Sequence, residues 1–140
     1  MTLIKLVALT FLVSQSLYCP AQPLMTTVKD ALKIKENDSL FIDKPLRKVL
    51  NEIVPEIKLV FAESNRAHNA LSYFIFKFVS REEYNKYIAA NKRPVTILVY
   101  VKENFDWNKS KENMLQWTKE DAETYGNLTV YRIGVLGETL

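Results

Sequence analysis

Cysteine is nearly absent from this chain: Cys19 is the only one among 140 residues. It lies at the end of a segment that reads as a cleavable export signal. Lys5 supplies the positive start, Leu6 to Tyr18 the apolar stretch, and Cys19-Pro20-Ala21 the small-residue exit. Cleavage is expected between Ala21 and Gln22, so residues 1–21 are set apart from the folded chain. Acylation of Cys19 is the alternative, disfavoured by bulky Tyr18 just before it. The apolar stretch is too short for a membrane span, which needs about 20 apolar residues, and no stable span is expected in the mature chain. The reading is export to the periplasm or beyond. Without cysteine, the mature chain has no disulfide, no catalytic thiol and no cysteine metal site.

Histidine is as scarce. His68 is the only one, which leaves metal binding to carboxylates alone. The acidic clusters Glu82-Glu83 and Glu120-Asp121-Glu123 fall in first helical turns, where the helix dipole accounts for them. Glycine is limited to Gly126, Gly134 and Gly137, and none sits in a loop entering a helix. That removes the backbone cradle a nucleotide phosphate needs. The formal charge is only +3, one less without Lys5, too small to imply nucleic acid. No cofactor is expected.

What the chain has is apolar strand sequence. Pro94 to Lys102, PVTILVYVK, is the longest apolar run after the signal, rich in β-branched residues. Leu71 to Val79 alternates, with Phe74, Phe76 and Phe78 on one face and Tyr73, Ile75 and Lys77 on the other. Further strands are expected at Leu40 to Ile42, Ile57 to Ala62 and Leu128 to Leu136. Asp43 reads as the N-cap of a helix carrying Leu46, Val49, Leu50 and Ile53 as one stripe. Ser80-Arg-Glu-Glu83 and Thr118-Lys-Glu-Asp121 are capping boxes. Residues 22–39 read as a partly disordered leader, and 40–140 as a single α+β domain. The expected fold is a mainly antiparallel sheet of about five strands with helices on one face. Its order is ferredoxin-like, βαββαβ, plus a C-terminal helix-strand unit.

The stretch Lys44-Pro-Leu-Arg-Lys-Val-Leu-Asn-Glu-Ile53, with the strand running to Ala62, is similar to the start of the short N-terminal domain of secretins and TonB-dependent receptors. The resemblance implies a βαβ signalling or docking module. It brings no functional residue across.

Two sets of residues invite a function. Arg66 and His68 share a polar loop, 63–69, with Ser64, Asn65 and Asn69. A serine–histidine hydrolase would need a fixed geometry there and an oxyanion motif, and neither is visible. A recognition loop is the better account. The second set is an aromatic and basic sheet face, Tyr73, Lys77, Tyr100, Lys102 and Arg132, with the mix of Tyr and Arg that interfaces favour. The sequence thus reads as a non-enzymatic exported protein that binds a protein partner or a small ligand through that face or that loop. The rivals are a periplasmic immunity or inhibitor-type protein and a carboxylate-dependent hydrolase.

Overall fold

The structure, a computed structural model, describes residues 20–64 and 71–138. Most of the expected signal, and both Arg66 and His68, lie outside these residues. Four strands, β1 (Leu59–Glu63), β2 (Ser72–Lys77), β3 (Thr96–Val101) and β4 (Val130–Leu136), form one sheet in the order β1-β2-β3-β4, with every neighbouring pair antiparallel. Four α-helices accompany it: α1 (Ala31–Glu36), α2 (Leu46–Asn51), α3 (Arg81–Ala89) and α4 (Lys119–Tyr125). The fold is therefore α+β with an antiparallel sheet.

The finer topology differs from the ferredoxin-like expectation. Among the described residues there is no fifth strand, and the sheet is an up-and-down meander. The expected strand at Leu40 to Ile42 is the cause. Here Asp38 starts a short 3-10 turn, Asp38–Leu40, and its carbonyl accepts from the N–H groups of Phe41 and Ile42. Local bonding satisfies the backbone, so a three-residue apolar run has no need of a sheet. With no strand before α2, the first βαβ unit cannot form. Asp43 is not the cap of α2 either. It sits at φ 63, its N–H bonds the carbonyl of Val130, and Pro45 occupies the N-cap position.

Residues 22–39 are more ordered than a leader. Met25, Ala31 and Ile34 are buried in the same core as the sheet, and Met25 bridges to Ile53. Three well-spaced apolar side chains suffice to anchor a segment that looks polar by count.

Val60, Phe74, Phe76, Ile97, Val99, Val101 and Ile133 form the core face of the sheet, all at most 1% exposed. Leu46 and Val49 of α2 join them. The long connection from β3 to α4 closes one end of this core. Phe105 stacks on Phe74 at 4.5 Å between ring centroids, and Trp117 meets Phe76 edge-on at 5.0 Å. The connection is pinned by Lys109, whose Nζ lies 2.5 Å from Asp121 with both side chains nearly buried. Both capping boxes form: Ser80 with Glu83 starts α3, and Thr118 with Asp121 starts α4.

The helices do not all lie on one face. Tyr84 of α3 packs its ring 6.1 Å from that of Phe61, which points away from the core. Helix α3 therefore belongs to the second face, where Leu59, Lys77 and Thr96 need cover.

Candidate functional site: the second face of the sheet

The pairing register sorts the second face into three rows that cross the strands. The first is Glu63, Tyr73, Tyr100 and Arg132; the second is Phe61, Ile75, Leu98 and Gly134; the third is Leu59, Lys77, Thr96 and Leu136. Alternation along each strand makes this inevitable once the core face is set.

The first row is one chain of contacts from acid to base. Tyr73 donates its hydroxyl hydrogen bond to Glu63 at 2.6 Å, which raises the phenol above its ordinary pKa. The Tyr73 and Tyr100 rings lie 5.7 Å apart and tilted. Arg132 places its guanidinium 4.2 Å over the Tyr100 ring, a cation–π distance. The described helices do not bury this row: Glu63 and Arg132 are exposed, and the two tyrosines are partly so.

The third row is covered as far as Thr96, and Leu136 at its end is exposed. Leu59, Lys77 and Thr96 are all buried, Lys77 to 9% exposure. Its ammonium donates to Thr96 Oγ1 at 3.0 Å, and Thr96 in turn donates to the carbonyl of Pro94 at 2.8 Å. The rings of Tyr84 and Phe61 face the same nitrogen at 5.1 and 5.9 Å. Burial, together with the like charge of Arg93, holds the lysine below its ordinary pKa.

Between the open row and the covered row lies an apolar cleft of about 400 Å³. Phe61, Ile75 and Tyr84 line it from the sheet and α3, and Trp107, Met114 and Leu115 close it from the β3–α4 connection. Leu115 holds that wall in place by accepting the N–H of Val60 at 2.8 Å across the β1 edge. A second cleft of about 210 Å³ continues under α3 past Leu98, and Lys77 lines both.

Of the sequence-derived residues, Tyr73, Tyr100 and Arg132 are brought together. Lys77 shares their face, but it is buried two rows away instead of standing exposed. Lys102 is not part of the cluster: it lies past the end of β3 and pairs with Asp43. Phe61, Tyr84 and Trp107 line the cleft without having been expected there. Tyr84 reads from its helix as a core residue, and nothing local shows that Trp107 returns to the β1 edge. Among the described residues no group of three or more His, Cys, Asp or Glu converges to hold a metal ion. No helix among them is long and apolar enough to cross a membrane.

Comparison of the chain with protein-family models, curated proteins and solved structures finds no match. The similarity of residues 44–62 to secretin and TonB-receptor domains is accordingly carried no further.

Proposed function

We propose that this is a small non-enzymatic binding protein, exported to the periplasm or the extracellular space, that holds a small ligand on the second face of its sheet. The observation that carries the reading is the cleft itself: aromatic and aliphatic walls, a single cation at its base, and Glu63 and Tyr73 of the open row at its mouth. Its volume falls in the range of small-molecule sites, roughly 300–1,000 Å³. The polar groups are few and placed at the two ends, as orientation of a ligand requires. Glu63 and Tyr73 form the rim that a ligand's outer part would meet, and Tyr100 and Arg132 extend the same open row beyond it.

Ile75 lies at the floor between the two clefts. A library of small neutral and charged fragments, screened by ligand-observed NMR, tests the reading. Hits on the parent protein should be lost on Ile75→Trp, whose larger ring fills the cleft from below. Hits that persist unchanged in that variant would show that binding occurs elsewhere and overturn the proposal.

A further inference from the structure

Five lysines elsewhere in the described chain pair with carboxylates. Lys33 meets Asp30, Lys35 meets Asp38, Lys92 meets Glu138, Lys102 meets Asp43 and Lys109 meets Asp121. Lys109 is the informative comparison, because its side chain too is largely removed from solvent. Its side chain is 12% exposed and it has Asp121 at 2.5 Å. Lys77 is 9% exposed, and the described residues bring no carboxylate within ion-pair distance of it. One neutral hydroxyl and two ring faces are what it has. A buried ammonium with so little compensation is costly to keep. An ammonium has three donor hydrogens, and Thr96 takes one.

The surroundings narrow what would fill the gap. Glu63, the acid on the cleft wall, is engaged at the far row by the Tyr73 hydroxyl. Its negative charge at the mouth disfavours a ligand with a second anionic group. The walls between Lys77 and that mouth are Phe61, Ile75, Met114 and Leu115, suited to a hydrocarbon body. Arg93 lies beside the under-helix cleft and adds positive potential on the lysine's other side.

We infer that the cleft binds small monocarboxylates with an aliphatic or aromatic body, and that Lys77 is the buried counter-ion for the carboxylate. This rests on the reading of the cleft as a ligand site and names the chemical class it takes. The carboxylate sits against Lys77 and takes ammonium hydrogens that Thr96 leaves free. The apolar body lies over Phe61 and Ile75, where it displaces water, and Trp107 at the wall senses its arrival.

The probes are hexanoate and benzoate, each set against its neutral counterpart, hexan-1-ol and benzyl alcohol. Titration of the full chain is followed by tryptophan fluorescence and by ligand-observed NMR. The carboxylates should bind about tenfold or more tightly than the alcohols, the advantage of a hydrogen bond to a buried charge. Lys77→Met should remove that preference and leave affinity for hexan-1-ol within about twofold, since the apolar walls are untouched. Equal or tighter binding of the alcohols by the parent protein would overturn the inference, and so would a carboxylate preference that survives Lys77→Met. If that variant does not fold, the parent comparison still decides, together with the Lys77 side-chain ¹⁵N shift. That shift should move with hexanoate and stay still with hexan-1-ol; movement with neither, while hexanoate binds, would overturn the inference. Neutral fragments in the cleft with no carboxylate bound would refute the ligand class alone. A cleft that no probe or fragment occupies would refute the underlying reading as well.

Discussion

Phe74→Ala probes the packing that sets the two faces apart. Phe74 is wholly buried, and five other rings surround it: Phe76 at 5.8 Å, Phe105 at 4.5 Å, Trp107 at 5.9 Å, Trp117 at 5.7 Å and Tyr125 at 5.6 Å between centroids. Truncation removes the transfer free energy of a benzyl group and leaves a cavity, together about 3–5 kcal/mol. Because those neighbours come from both the sheet and the β3–α4 connection, the site cannot collapse from one side, and the upper half of that range is expected. Against a total of about 5–15 kcal/mol for a domain, the variant should be folded but close to its limit. Tyr100→Ala, in the open row of the next strand, should cost no more than about 1–2 kcal/mol, since it loses one ring contact and one cation–π contact. Urea melts followed by far-UV circular dichroism and by tryptophan fluorescence measure both. The two probes should report coincident transitions, because Trp107 and Trp117 share the core that the sheet rests on. Equal losses for the two variants would mean that the second face is as closely packed as the first, and the open row would not exist. A loss below about 1 kcal/mol for Phe74→Ala would refute the aromatic cluster.

Three further outcomes follow from other parts of the chain. Asp121→Asn should cost about 3 kcal/mol in the same melts, because it leaves Lys109 buried without its charge partner and weakens the Thr118 capping box. Acid should destabilise the protein in the carboxylate range. Lys33 and the N–H and hydroxyl of Thr27 hold Asp30 well below its usual pKa, and the Ser80 N–H lowers Glu83. A carboxylate depressed in the folded state stabilises above its unfolded value and loses that contribution as pH falls. Melting temperature should therefore be flat near neutrality and drop below about pH 4; a flat profile down to pH 2 would contradict the Asp30 and Glu83 geometry. Protein recovered from its native host should begin at Gln22, as read by N-terminal sequencing, and recovery of intact Met1 protein from the cytosol would exclude export.

The parts of the fold that were legible in the sequence are those decided locally. Phe74 and Phe76, or Ile97, Val99 and Val101, alternate so plainly that their shared face follows from strand geometry alone. The Ser80–Glu83 and Thr118–Asp121 boxes need only four residues each. The pairing of the last strand with Pro94 to Lys102 was legible, but the full strand order was not, because it turns on Leu40 to Ile42, three residues whose backbone is satisfied locally by Asp38. Tyr73, Tyr100 and Arg132 were visible as one face but not as one row, since row membership depends on register between strands far apart in sequence. Lys77 shows the same limit more sharply. Alternation assigns it to the second face, yet only α3, arriving from further along the chain, decides that it is buried. Trp107 reads in the sequence only as an apolar anchor of a polar stretch, and its place beside β1 follows from Leu115, which ties that segment to the strand edge.

The proposed ligand site is the cleft between α3 and the Tyr73–Tyr100–Arg132 row. The most direct test is a two-dimensional amide NMR titration of the ¹⁵N-labelled protein with hexanoate. Shift changes should concentrate on Phe61, Ile75, Lys77, Tyr84 and Trp107 and fade across the core face. Changes centred on the other cleft, around Val28, Leu32 and Val135, or spread evenly over the surface, would contradict that site.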